Sequence, residues 1–266
     1  MRFGFGKNWK SYIQSLTPES IAESRKAIAE SLGRSELNDL RILDIGSGSG
    51  LSSLAFLEMG ADVTAFDYDQ DSVECTISLL NAKAPHESKW RALQGSVLDI
   101  EFIQSLGKFD LVYSWGVLHH TGAMWQAMDN AAMAAKDSGT LLIALYNDQG
   151  LLSKFWKAVK WTFCSSWLGR LVVKTIFYPL FFALSIFKDF KNSEVPMSHI
   201  RNYYLNRGMS IVHDWDDWLG GYPFEAASTD AVESWAVKRG FAIRITRATK
   251  GLGCNEFVFH KDKINT

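Results

Sequence analysis

Residues 41–50 read RILDIGSGSG. The apolar residues Ile42, Leu43 and Ile45 have strand character and lead into three glycines at alternate positions, Gly46, Gly48 and Gly50. LSSLAFLEMG then takes up a helical apolar period. The stretch reads as strand, tight turn and helix. Glycine in such a turn permits positive φ, and its missing Cβ lets a ligand lie against the backbone. A dinucleotide fingerprint wants its third glycine one place later, where Leu51 stands, which argues against NAD or FAD. A second strand, ADVTAFD, ends in Asp67, about 20 residues past the turn, where a carboxylate can accept both ribose hydroxyls. With Tyr68 beside it, the pair suits an adenosine; the other role open to Asp67 is capping the helix that follows.

Working outward, strand signals recur near 41–45, 62–67, 89–93, 109–114 and 139–146, with helical stretches between them. Such alternation with short connections implies a parallel sheet with helices on both faces. Ligands then bind at the carboxyl ends of the strands, and Gly46, Asp67, Val97 and Trp115 all fall at or just beyond such ends. Residues 228–240 read as a helix, and FAIRITRAT and NEFVFHK as two closing strands. Upstream, Thr17 is a candidate N-cap with Pro18 at the first helical position and Glu19 in the first turn. Ser20 stands where a full capping box needs Glu or Gln.

The 266 residues allow one large α/β domain or a domain with a sizeable insertion, and a hydrophobic content of 47% suffices for its core. With 28 basic and 29 acidic residues, the net charge of −1 carries no polyanion signature, so no nucleic-acid partner is expected. Cys75, Cys164 and Cys254 are odd in number and form no C-x-x-C, which fits a reducing compartment. MRFGFGKNWK has no apolar core of a signal peptide, so the cytoplasm is the expected location.

LDIGSGSG followed by FDYD, then GSVLD at 95–99 and FDLVYSWGVLHH at 109–120, resembles the ordered motifs of class I S-adenosylmethionine-dependent methyltransferases over residues 41–146. RGMS, HDWDDWLGGYPFE and GLGCNEFVF resemble a bacterial branch grouped with the O-methyltransferases of ubiquinone biosynthesis. The resemblance implies a Rossmann-like seven-stranded sheet, mostly parallel with its last strand antiparallel, helices on both faces and a helical insertion after strand 5. It implies S-adenosyl-L-methionine as cofactor, and a domain formed by 41–149 and 208–266 with an N-terminal helical cover at 1–40. Lys7, Asn8 and Trp9 would close over the cofactor, as N-terminal segments do in similar enzymes, or simply cover the sheet edge.

On this resemblance Gly46, Ser47, Gly48 and Gly50 hold the methionine and ribose portions. Asp44 orients the amides of the turn and reaches the cofactor's ammonium through water. Ser96 and Val97 stand where relatives contact adenine; serine departs from the usual Asp, leaving Val97 or Leu98 as an adenine wall and Asp99 as a polar alternative. Trp115 completes the cofactor side. SWGVLHHTG lies nearest the transferable methyl, and a histidine base suits a hydroxyl acceptor at neutral pH. His119 and His120 are the candidates; neighbours at a helix start point in different directions, so one of the two faces the substrate, and His119 is preferred. Val117 and Leu118 stand where ubiquinone-type members carry acidic residues associated with a metal, so no metal is expected. Ser114, Trp115 and Gly116 replace the Pro-Pro-aromatic tetrad of base-amino methyltransferases. Tyr146, Asn147, Tyr204, Trp215, Trp218 and Asn255 are the candidate acceptor contacts, each also open to a purely structural role.

Residues 150–207 form the insertion. It is rich in Trp and Phe, and no acid stands between Asp148 and Asp189, whereas Lys154, Lys157, Lys160, Arg170, Lys174 and Lys188 do. The longest uncharged run, Thr175 to Phe187, falls short of the ~20 residues that a spanning helix needs. Two roles stay open: an amphipathic segment giving peripheral membrane contact through 150–191, or a helical lid packed on the domain or on the second subunit of a homodimer. The expected function is O-methylation of a small, apolar, quinol-like or lipid-borne molecule; the alternatives are a cofactor-binding adaptor that docks on a membrane or partner, and methylation of a macromolecular target.

Overall fold

The computed structural model describes residues 4, 6, 9, 12, 13, 16–84, 89–192, 195, 197, 198, 200 and 211–262, and the side chains of these except His213. Helix α1 (Pro18–Leu32) starts at Thr17, whose side chain accepts from Ser20 N, and stops at Gly33 in the left-handed region. The sheet then begins: β1 (Arg41–Ile45), α2 (Leu51–Glu58), β2 (Asp62–Asp67), α3 (Gln70–Lys83), β3 (Trp90–Gln94), α4 (Ile100–Leu106), β4 (Phe109–Trp115), α5 (Met124–Ala134) and β5 (Ala135–Tyr146). The insertion supplies α6 (Leu151–Ser165) and α7 (Trp167–Lys191), and α8 (Ile211–Gly220), α9 (Thr229–Val237), β6 (Phe241–Arg247) and β7 (Cys254–Lys261) complete the described chain.

The strand order is β3-β2-β1-β4-β5-β7-β6. β1 to β5 pair in parallel, and β7 runs antiparallel to both β5 and β6. β1 lies between β2 and β4, so consecutive crossovers leave it in opposite directions and open a crevice at the carboxyl ends. Alternation along the central strands feeds two cores. Leu43, Ile45 and Phe66 join Met128, Trp235 and Phe257 on one face, while Ile42, Val63 and Leu111 join Ile28, Leu54 and Leu80 on the other.

β5 starts at Ala135, ahead of the expected 139. Phe109 pairs with Ala135, the register shifts, and Leu111 pairs with Thr140, so the turn-like residues at 136–139 form a bulge within the strand. Ser138 sits there at φ 63.

A third core belongs to the insertion. Trp156 and Phe163 of α6, Val173 and Phe177 of α7 and Leu219 of α8 pack together with Phe224. α7 is one helix of 25 residues, long and apolar enough by length and composition to cross a membrane. The shorter sequence estimate stopped at Lys174 and Lys188, and a single charge at either end of an apolar stretch does not end a helix.

Candidate active site

The glycine turn is built by β2 as much as by its own residues. Gly46 N and Ser47 N both donate to the Phe66 carbonyl at 2.8 and 3.1 Å, and Gly48 N donates to Asp67 Oδ2 at 3.0 Å. Gly46 holds φ +77, and a Cβ there would stand 2.4 Å from Val117 Cγ1, so a side chain is excluded by conformation and by space. Gly48 holds φ +54 beneath the Trp9 indole, which a Cβ would meet at 3.2 Å. Gly50 lies outside the cavity: its Cα faces Thr76 of α3.

Asp67 accepts from Gly48 N through one oxygen and from Asp69 N through the other at 2.9 Å. A carboxylate offers about four acceptor positions, so two amides can orient it while it accepts from hydroxyls as well. Capping of α3 falls to Asp69, whose Oδ1 accepts from Asp71 N at 3.1 Å, while its Oδ2 accepts from Gly6 N at 2.9 Å. Gln94, at the end of β3, donates to the Tyr68 carbonyl at 3.3 Å and steadies this loop.

Asp44 does not take the amides of the turn, which are already satisfied by β2. It is 2% exposed and accepts from Ser53 Oγ at 2.5 Å. Burial, against the Ser53 bond and reinforced by the Asp67 charge, pushes its carboxyl up to about 7. Tyr113 shares this wall; its oxygen accepts from Ser52 Oγ at 3.4 Å, and burial raises its hydroxyl further.

These groups line a cavity of about 860 Å³ that runs from Trp9, Asp67 and Tyr68 past Asp44 and Trp115 to His120, Tyr146 and Trp218. Trp115 Nε1 donates to Glu256 Oε1 at 3.3 Å. At the far end the Tyr146 ring lies 3.9 Å from His119, 5.4 Å from His120, 5.1 Å from Phe224 and 6.2 Å from Trp218. Burial raises the Tyr146 hydroxyl, with Cys254, Asp214 and Asp217 adding to the effect.

The two histidines have different tasks. His120 lines the cavity, and its Nδ1 donates to the Pro223 carbonyl at 2.7 Å, an assignment fixed by an acceptor that has no proton to give. Nε2 is then its basic nitrogen. His119 is fully buried outside the cavity lining, and its Nδ1 accepts from Tyr146 N at 3.2 Å. Its Nε2 therefore carries the proton and has no partner among the described residues. Burial, with His120 and Lys160 nearby, holds His119 well below the ordinary imidazole range and keeps it neutral. The preference for His119 is thus reversed.

Other expected contacts lie elsewhere. Val97 is buried in the main core with Leu98 packed against it, and Ser96 Oγ accepts from Leu98 N, so Ser96, Val97 and Leu98 do not line the cavity. Asp99 caps α4. Asn147 Nδ2 donates to the Thr249 carbonyl at 2.8 Å, while Asn255 donates to Asn147 Oδ1 and accepts from Thr249 N. The pair clamps the β6–β7 turn instead of meeting an acceptor. Trp215 packs on Tyr178 and Phe181 of α7. Tyr204, Lys7 and Asn8 lie outside the described residues, as does RGMS. Val117 abuts the glycine turn and Leu118 is buried; no cluster of three His, Cys, Asp or Glu placed to hold a metal occurs among the described residues.

Asp69 and Tyr113 line the cavity without having been selected from the sequence. Asp69 was visible only as the end of FDYD, and Tyr113 only as an alternate position on a strand. Asp214 and Asp217 sit one turn apart on α8 and face the His120 end. Lys160, fully buried in α6, donates to the Trp218 carbonyl with its Nζ 4.3 Å from the Trp218 ring centroid, and burial draws its ammonium down to about 7.

Residues 43–143 match the family model described as "Methyltransferase domain". Residues 43–143 form a methyltransferase domain. Curated relatives include a ubiquinone biosynthesis O-methyltransferase of Rhodopseudomonas palustris, 28% identical over 126 residues that make up 47% of each chain. Another of that name, from Rickettsia akari, is 30% identical over 111 residues, 42% of each chain. The chain spans about half the length of the curated relatives it matches. Among solved structures, magnesium protoporphyrin IX methyltransferase from Synechocystis with bound S-adenosylhomocysteine superposes at a TM-score of 0.55, with 13% identity, covering 91% of this chain and 83% of that one. It shares the fold of the methyltransferase domain.

The cavity fits S-adenosylmethionine, the cofactor that the sequence motifs imply, on its own chemistry. Its volume lies within the ~300–1,000 Å³ of ordinary ligand sites. A buttressed carboxylate at one end suits two vicinal hydroxyls, Trp9 and Tyr68 offer apolar faces, and Asp69 adds negative potential for a cationic ligand.

Proposed function

We propose that the methyltransferase domain methylates the oxygen of a small, apolar, hydroxyl-bearing molecule, with His120 as the base. When bound, S-adenosylmethionine supplies an electrophilic methyl on a sulfonium, so the protein's tasks are alignment and deprotonation of the acceptor. Asp67 holds the ribose hydroxyls, and the turn at Gly46 to Gly48 lies against the methionine portion. His120 Nε2 takes the acceptor's proton; the Pro223 carbonyl fixes the ring and favours the imidazolium that results. Asp214 and Asp217 at the same end favour that charge too. Tyr146 and Trp218 supply apolar walls that exclude water and suit a flat acceptor.

The observation that carries the reading is the His120–Pro223 bond, which leaves Nε2 as the basic nitrogen of a histidine lining the aromatic-walled end of the cavity. The names of the curated relatives support oxygen as the acceptor atom. Release of S-adenosylhomocysteine should be measured against a panel of phenols, hydroquinones, carboxylates and amines. Turnover with hydroxyl compounds, lost in His120→Gln, is expected. A product formed only with amines, or only with RNA or protein, refutes the proposal.

A further inference from the structure

The surface of the insertion is unlike the rest of the molecule. α7 sets Val173 and Phe177 into the core it shares with α6 and α8. Lys174 Nζ and the Tyr178 hydroxyl both donate to Asp216 of α8 at 2.8 Å, so this face is tied down. The opposite face carries Leu168, Val172, Ile176, Leu180, Phe187 and Phe190, all exposed and at spacings that keep them on one side of a helix. Only 17% of the most apolar stretch of α7 is buried in the protein. A contiguous apolar surface of this kind marks an interaction site.

Charge indicates what covers it. Between Asp148 and Asp189 there is no acidic residue, and Asp189 itself is fully buried, with one oxygen accepting from Ser198 Oγ at 3.0 Å. Lys154, Lys157, Arg170, Lys188 and Lys191 are exposed on the same two helices. The two helices thus pair an apolar stripe with positive charge and carry no exposed acid of their own, the pattern that suits an interfacial helix on anionic lipid. A spanning role conflicts with the docked face, which would have to leave its core and its two bonds to Asp216.

We infer that the outward face of α7 docks on the surface of an anionic lipid bilayer, lying in the headgroup layer with the methyltransferase domain above it. This inference rests on the surface of the insertion and stands apart from the identity of the acceptor. In flotation experiments the full chain binds vesicles of phosphatidylcholine with phosphatidylglycerol, binds phosphatidylcholine alone far less, and is released by salt. Lys188→Gln with Lys191→Gln weakens binding about 30-fold. Ile176→Asp with Phe187→Asp abolishes it while leaving S-adenosylhomocysteine binding intact, since both side chains are more than half exposed, at 58% and 66%. Failure to float with anionic vesicles overturns the inference, as does equal, salt-insensitive binding to the neutral ones. Self-association that the Ile176 and Phe187 changes abolish, without any vesicle binding, also overturns it and assigns the face to a second copy of the chain. Turnover of a water-soluble acceptor without vesicles reports on the acceptor chemistry separately.

Discussion

Replacing Asp67 tests the site at the point where the geometry is most constrained. Its carboxylate spans two amides, Gly48 N at 3.0 Å and Asp69 N at 2.9 Å, and so ties the glycine turn to the start of α3. Asp67→Ala removes the acceptor for the ribose hydroxyls and releases both amides. A hydrogen bond to a charged group is worth about 1.5–3 kcal/mol, so cofactor affinity should fall by about 10- to 150-fold. Asp67→Asn separates the two effects: its single carbonyl oxygen holds one of the amides and accepts without full charge, so a loss of about tenfold or less is expected. Titration calorimetry with S-adenosylhomocysteine measures the affinities without turnover, and thermal denaturation of both variants shows whether the turn still forms. A folded Asp67→Ala variant that binds within twofold of the parent refutes the placement of the cofactor, and with it the assignment of the far end of the cavity to the acceptor.

Three further outcomes follow from the same geometry. His120→Gln should lower kcat by about 10²–10⁴ with affinity for S-adenosylhomocysteine nearly unchanged, as measured by steady-state kinetics beside calorimetry. His119→Ala should instead lose about 1–3 kcal/mol of stability in urea denaturation, because Tyr146 N loses its buried acceptor. Asp44 gives a pH signature: its folded pKa, about 7, lies above the ordinary carboxylate value of 3.8, so the folded state holds the extra proton. Its stabilising contribution is complete below about 4 and is lost as pH rises through about 7, with a slope of at most about 1.4 kcal/mol per unit; Asp44→Asn should flatten that part of a stability–pH profile measured by urea midpoints.

What the sequence revealed and what it hid divide along local and distant partners. Strand, turn and helix at 41–58 are written in adjacent residues, since the apolar alternation of β1 and the positive-φ glycines decide them without help from elsewhere. Asp67 was legible for the same reason, as the end of a strand next to a turn. The roles of His119 and His120 were not, because they depend on a carbonyl 103 residues downstream of His120 and on the amide of Tyr146. Asn147 and Asn255 read as polar groups near a rim, yet Thr249 claims them both. Val97 follows the third strand as the motif demands, but an apolar residue there is drawn into the core of Leu43, Ile45 and Phe66. The start of β5 was expected near 139 because Lys136 to Ser138 carry no strand signal of their own, and only pairing with β4 extends the strand back to Ala135.

The remaining consequence concerns α8, which joins the insertion to the cavity. Asp214, Asp217 and Trp218 line the cavity, whereas Trp215 packs on α7 and Asp216 holds Lys174 and Tyr178. Leu219, fully buried, sits in the core between the three helices. Because one short helix carries both faces, its position is set by α7, and the acceptor wall formed by Trp218 inherits that position. Asp216→Ala cuts two 2.8 Å bonds at a half-buried site, a loss of roughly 1–2 kcal/mol after allowance for solvent screening. The cofactor end is built by β1, β2 and α3, whereas Asp216 bonds to Lys174 and Tyr178 of α7. The expected result is a rise in KM for the acceptor with S-adenosylhomocysteine affinity unchanged, read from steady-state kinetics beside calorimetry. A variant that weakens both ligands equally would show that Asp216 supports the whole fold, and one that changes neither would show that α8 holds the acceptor wall without the insertion.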